Sequence, residues 1–203
     1  MASPKRSSRG RGRPREFDAG EALDRALEVF WRKGYEGTSI SDLADAMRLN
    51  RPSIYAAFGN KEELFRKVLD RYAEGPASSV RKALEAPTAR QAVEHVLRAA
   101  ASVPAHRRRP RGCLLVQGAL ACSDAAEAVR RELISRRADG ETEVRKRLDR
   151  AKAEGDLPRS SDPAALARYV VTVAHGMAVE AASGASRQQL LQVVKTAMRA
   201  WPK

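Results

Sequence analysis

"TSISDLADAMRLNRPSIYAAFGNKEELF", residues 38–65, decides the fold. Ser39 and Asp42 stand three residues apart, the spacing of a capping box, in which each side chain answers an orphan backbone amide. Ile40, Leu43, Ala44 and Met47 then fall on one helical face. Arg48-Leu49-Asn50 breaks that periodicity. Asn50 suits the N-cap of a further helix, and Pro52 is tolerated because a first turn needs no amide donor. Ile54 and Phe58 give this helix an apolar side, and Gly59 ends it. Asn60 with Glu63 repeats the box spacing, and Leu64, Phe65, Val68, Leu69 and Tyr72 form the next buried stripe. Two short helices joined by so tight a turn form a helix-turn-helix, whose second helix enters the DNA major groove.

With Ile54 and Phe58 facing the core, Arg51, Ser53, Tyr55, Ala56 and Ala57 are left for the outer face. Arginine can donate two hydrogen bonds to guanine O6 and N7. Serine and tyrosine hydroxyls suit phosphates. Lys61 adds a cation at a helix N-terminus, where amides also favour an anion. Each residue has a plainer role open to it. Tyr55 could pack between helices, Lys61 could be a solvated charge, and Ser39 could serve only as a cap.

Working outward, Asp18 and Glu21 again have box spacing, and Leu23, Ala26, Leu27 and Phe30 define a first helix ended by Gly34. Before it, residues 1–16 are rich in Ser, Gly, Pro and Arg and lack hydrophobic periodicity, so a disordered arm is expected. Its "RGRGRPR", residues 9–15, holds four arginines and no acid. The "RGRP" at 11–14 resembles the core of an AT-hook. Arg11 and Arg13 on a thin, extended strand suit a narrow, electronegative minor groove. A nonspecific basic tail is the alternative.

The whole chain has 203 residues, a net charge of +13 and a pI near 10.4, which favours a polyanionic partner. No apolar run reaches the roughly 18 residues that span a bilayer, and no apolar core follows the N-terminal basic residues as in a secretory signal. Two cysteines, Cys113 and Cys122, make neither a disulfide framework nor a zinc site. The three histidines lack metal-ligand spacing. No metal, no cofactor and no membrane partner is therefore expected, and a reducing, cytoplasmic location is the default.

Past residue 76 the pattern reads as helices over roughly 77–85 and 88–103, a basic loop "HRRRPRG", an apolar segment "CLLVQGALAC", then helices over about 125–154, 162–183 and 187–201. No strand pattern appears. The expected fold is all-α: a disordered arm over 1–16, a three-helix DNA-binding domain over 17–60, a connecting helix over 61–75 and a helical sensing and dimerisation domain over 76–203. The last two helices are rich in alanine and glycine, which permits close helix approach, and carry Val170, Val171, Val173, Leu190, Leu191, Val193, Val194 and Met198 as apolar area. They are expected to pair two subunits across a two-fold axis. Completion of the monomer core is the alternative.

Beyond Tyr72 only Tyr169 and Trp201 are aromatic, so a ligand pocket would be aliphatic, with Arg98, Gln117 and His175 as its polar groups. Cys113 follows four arginines and is expected in the first turn of a helix. Nearby cations and N-terminal amides favour the reactive thiolate. A small buried hydrophobe is the alternative for both cysteines. Cys122 lies nine residues on, about 180° around the same helix, which excludes an intrahelical disulfide.

The stretch from Phe17 to Tyr72 closely resembles the TetR family of bacterial repressors, through the matching residues "ALEVFWRKGYEGTSISDLADAMRLNRPSIYAAFGNKEELF" at 26–65. The resemblance implies an all-helical homodimer that binds a palindromic operator in double-stranded DNA. The C-terminal half would dimerise and sense a signal. The resemblance places phosphate contacts at Thr38, Ser39 and Ser41, and backbone contacts at Tyr55 and Lys61. It places base contacts at Arg51, Pro52, Ser53, Ala56 and Ala57. "GCLLVQGALAC" also resembles the electrophile- and oxidant-sensing subgroup, which implies Cys113 as the sensor, although the second cysteine is offset by one residue. The expected function is a regulator, most simply a repressor, released by a small molecule or by thiol modification. The rival classes are an AT-hook-like architectural protein and an enzyme using Cys113. No catalytic Cys–His constellation is visible for the latter, so no enzyme is expected.

Overall fold

The first helix, α1 (Ala19–Lys33), starts where Asp18 accepts from the Glu21 amide at 3.0 Å. The expected box forms only by half, because the Glu21 carboxylate reaches forward to Arg25 instead. In α2 (Ile40–Met47) the Ser39–Asp42 box is complete. Arg48 then takes a left-handed conformation at φ +56°, a region that costs a non-glycine residue roughly 1–2 kcal/mol. Asn50 caps α3 (Arg51–Phe58) through the Ser53 amide at 2.8 Å. Asn60 and Glu63 close a full box on α4 (Lys61–Glu74). Gly59 between them sits at φ +81°, a left-handed backbone that glycine adopts without the steric cost a side chain brings.

Among the described residues six further helices follow: α5 (Ser78–Ala83), α6 (Ala89–Ala100), α7 (Leu114–Leu120), α8 (Glu127–Ala153), α9 (Pro163–Ala182) and α10 (Arg187–Arg199). The computed structural model describes residues 17–102, 110, 112–120 and 126–202, and no strand occurs among them. The arm with Arg11 and Arg13, most of the basic loop, and Cys122 lie outside the described residues.

Two apolar clusters form the interior. The first joins α1, α2, α3 and α4 through Phe30, Leu43, Ile54, Phe58 and Phe65. Phe30 meets Phe65 edge-on at 4.9 Å, and Tyr35 tilts against Phe65 at 5.1 Å. Leu114 of α7 and Val129 and Leu133 of α8 complete it. Packing therefore crosses the 75/76 boundary expected from the Gly75-Pro76 break. The second cluster joins Val93, Val96 and Leu97 of α6 to Val144 and Leu148 of α8, and to α9 and α10. One helix, α8, thus contributes its first half to one core and its second half to the other.

Polar contacts fix the joints. The Arg71 guanidinium of α4 grips both Asp24 oxygens of α1 at 2.7 Å. Asp70 of α4 pairs with Arg136 of α8 at 2.7 Å. Arg147 of α8 is only 6% exposed and donates to the carbonyls of Leu84, Ala86 and Pro87 at 3.0–3.2 Å, fastening the turn between α5 and α6.

The small and apolar residues of α9 and α10 divide between two faces. Ala167, Val170, Ala178, Ala181, Leu190, Val194 and Met198 are buried in the subunit's own core. Tyr169, Val179 and Val193 stand exposed on the other side. Of the apolar residues expected to pair subunits, Val170, Leu190, Val194 and Met198 are therefore buried within the subunit, while Val193 is exposed.

Candidate nucleic-acid interface

Ile54 is fully buried and Phe58 nearly so, which turns the opposite side of α3 outward. Arg51, Pro52, Tyr55, Ala56 and Ala57 are exposed there, Ser53 is half-buried, and Tyr55 keeps 49% of its surface in solvent. Packing between helices is thus not what holds Tyr55. The face carries one long cation, two hydroxyls and two methyls, a set that fits a groove floor flanked by phosphates.

The start of α2 departs from the expected set of phosphate contacts. Thr38 is 1% exposed; its hydroxyl donates to the Gly34 carbonyl at 2.6 Å and its amide to Tyr35 at 3.3 Å. Thr38 locks the turn between α1 and α2, and the phosphate contact expected of it is corrected: its donors are spent inside the fold. Ser39 is exposed, with its hydroxyl in the cap, accepting from the Asp42 amide and donating to the Asp42 carboxylate. Ser41 is exposed and accepts from Arg51 Nη2 at 2.7 Å, a link between α2 and α3 that sequence spacing did not reveal.

Electrostatics organise the same corner. Lys33 bonds Asp42 at 2.6 Å and, with the Ser39 amide and hydroxyl, holds that carboxyl well below the ordinary carboxylate range. Lys61 sits 4.4 Å over the centre of the Tyr35 ring. Partial burial pulls its pKa below the usual lysine value, opposed by Glu36. The solvated-charge reading of Lys61 is incomplete, since a tyrosine face aims its ammonium.

Forty-one residues along the chain from Tyr72, Cys113 meets its ring: the Tyr72 hydroxyl donates to Cys113 Sγ at 3.4 Å. Burial, then the neighbouring thiol, pushes the Tyr72 phenol above its usual range. Cys113 is half-buried and stands just before α7, its carbonyl accepting from the Val116 and Gln117 amides. That is the cap position, not the first turn that was expected. Gly112 beside it has φ +84°, and a Cβ there would press on the Ala178 carbonyl at 2.7 Å, so α7 and α9 approach closely at a glycine. Trp31 of α1 packs edge-on against Tyr72 at 5.0 Å. A chain of contacts therefore runs from α7 through α4 to α1.

The three polar groups expected in a pocket are placed differently from one another. Gln117 and His175 are half-buried on α7 and α9, whereas Arg98 is exposed on α6 and bonded to Glu94. Burial, then Arg137, lowers the His175 pKa, against Glu141. Along α9 and α10, Tyr169, Val173, Val193 and Ala197 line a shallow groove. Among the described residues no cluster of three metal-ligating side chains occurs, and no helix is long and apolar enough to cross a membrane.

Residues 22–68 match the family described as bacterial regulatory proteins, tetR family, and residues 87–200 match the tetracyclin repressor-like C-terminal domain. The chain is 35% identical over 197 residues to the HTH-type transcriptional repressor ComR of Escherichia coli K12, covering 96% of this chain and 94% of ComR. It is 32% identical to the regulator YezE of Bacillus subtilis over 78% of this chain and 83% of YezE. A cysteine mutant of the TetR family transcriptional regulator CifR, solved with 26-base-pair double-strand operator DNA, shares 43% identity. That comparison covers 94% of this chain and all of that one, with a TM-score of 0.89.

Proposed function

The chain belongs to the TetR family and is a DNA-binding transcriptional regulator of that type; from that premise we propose that it represses a nearby gene as a homodimer on a palindromic operator. The observation that carries this reading is the outer face of α3, exposed from Arg51 to Ala57 and held rigid by buried Ile54 and Phe58. Arg51, Pro52, Ser53, Ala56 and Ala57 meet bases, the two alanines touching thymine methyls. Ser39, Tyr55 and Lys61 meet phosphates. Arg11 and Arg13 follow the adjacent minor groove.

Two copies of α3 reach successive major grooves only when held about 34–36 Å apart. The exposed Tyr169, Val179 and Val193 supply apolar area for pairing through α9 and α10. A signal that favours a differently spaced dimer releases the operator. Modification of Cys113 is the proposed signal: any group added at Sγ displaces the Tyr72 hydroxyl and is felt at α4 and α1. A small molecule seated near Gln117 and His175 would act on the same helices, with Arg98 at the rim. The proposed location is the cytoplasm, and no catalytic residue is proposed.

Footprinting of the DNA beside its gene tests the reading. One short inverted repeat is expected to be protected at moderate salt; protection of broad AT-rich tracts would favour an architectural role. Repetition with an oxidant and with Cys113→Ala tests the sensor. Wild type is expected to release and the variant to stay bound, and equal release would remove Cys113 from the scheme while leaving the repressor.

A further inference from the structure

We propose that Ser41 is a specificity-determining positioning residue, holding the Arg51 guanidinium in the pose that reads a guanine edge. The inference rests on the reading of α3 as the major-groove helix. Ser41 lies in the first turn of α2 and Arg51 opens α3, so their 2.7 Å bond ties the N-terminal turns of the two helices together. Arg51 is exposed. An exposed arginine samples many rotamers, and ordering it at a DNA surface costs affinity. The Ser41 oxygen removes part of that cost before the DNA arrives.

Donor arithmetic permits both roles at once. A guanidinium has five N–H donors in one plane. The Ser41 bond uses one on Nη2, and the remaining donors still include a pair able to grip O6 and N7 of one guanine. The outer face of α3 offers no second long cation, since Ser53, Ala56 and Ala57 are short. Discrimination along that face is therefore concentrated at Arg51, and a residue that orients it tunes sequence preference instead of general DNA affinity. This differs from a phosphate contact by Ser41, which would strengthen binding to every sequence alike.

The test uses the full chain and a pool of duplexes with a randomised centre, enriched by binding and sequenced, beside titration of a random-sequence duplex. Wild type is expected to enrich guanine at one symmetric pair of positions. Arg51→Ala should lose that preference entirely. Ser41→Ala should lose roughly 2- to 10-fold of it, from the ordering cost of one side chain, while Ser41→Thr, which keeps the oxygen, retains it. Any change of affinity for the random duplex should be smaller in Ser41→Ala than the change in guanine preference, and the thermal melt should hold. Loss of affinity by Ser41→Ala for all sequences alike would overturn the proposal, as would an unaltered guanine preference. Enrichment of no sequence by wild type would overturn the reading of α3 itself, a distinct failure.

Discussion

Around α1 and α4 the interior sets rings, Phe30, Tyr35, Phe65 and Tyr72 with Trp31 at the margin, among aliphatic side chains such as Leu27, Leu64 and Leu69; around α6, α9 and α10 it is made of Ala, Val, Leu and Met, with Trp201 at one end. Rings meet in a few offset or edge-on geometries, each worth about 0.5–1.5 kcal/mol beyond its buried area. They suit a part that must present α3 at one fixed angle. Small aliphatic faces allow helices to approach and to slide, which suits the signal response proposed for that half. The difference teaches that the two cores are packed with different materials, and that α8, which enters both, is where they are joined.

The sharpest way to break this comparison is to truncate one side chain in each core. Phe30→Ala should cost about 3–5 kcal/mol and abolish operator binding, whereas Leu148→Ala should cost about 2–5 kcal/mol with α3 still competent for DNA. Urea unfolding beside a DNA titration reads both; loss of DNA binding by folded Leu148→Ala would erase the distinction. Next in size is Arg147→Ala, which leaves the Leu84, Ala86 and Pro87 carbonyls without their shared donor. About 1.5–3 kcal/mol of stability should disappear with DNA affinity unmoved.

Tyr72→Phe probes the connection between the two regions. Loss of the bond to Cys113 Sγ should cost about 0.5–1.5 kcal/mol in a thermal melt. Operator affinity without oxidant should hold, while the oxidant concentration needed for release shifts. The smallest effect concerns pH. Burial, then Arg137, lowers the His175 pKa, so its folded value lies below its unfolded value of about 6.5. Below that pH the unfolded chain takes up a proton that the folded chain resists, and stability falls as pH drops toward the folded pKa. Above it the contribution is constant. The difference in melting temperature between wild type and His175→Gln, followed from pH 7.5 to about 5.5, should shrink or invert on acidification; a pH-independent difference would place His175 in an unperturbed setting.

Helix order was legible because the cues were local. Ser39–Asp42, Asn50 and Asn60–Glu63 each cap the helix expected of them. The exception is instructive: Glu21 has box spacing but pairs with Arg25, since an exposed i,i+4 partner competes with the cap amide. The outer face of α3 was legible for the same reason, its inward side being marked by Ile54 and Phe58. The fate of Thr38 was not, because its donors go to carbonyls whose positions depend on how the chain turns after Gly34.

By itself, then, the amino-acid order determined the helices, their caps, the tight turn before α3 and the basic character that goes with a polyanion, since each depends on neighbours within about four residues. Only the tertiary structure decided that Ser41 touches Arg51, that Tyr72 touches Cys113, that Arg147 is buried under three carbonyls, and which half of α9 and α10 faces outward. Those pairings join segments brought together by packing, and no periodicity within one helix carries the rotation and offset of its neighbour.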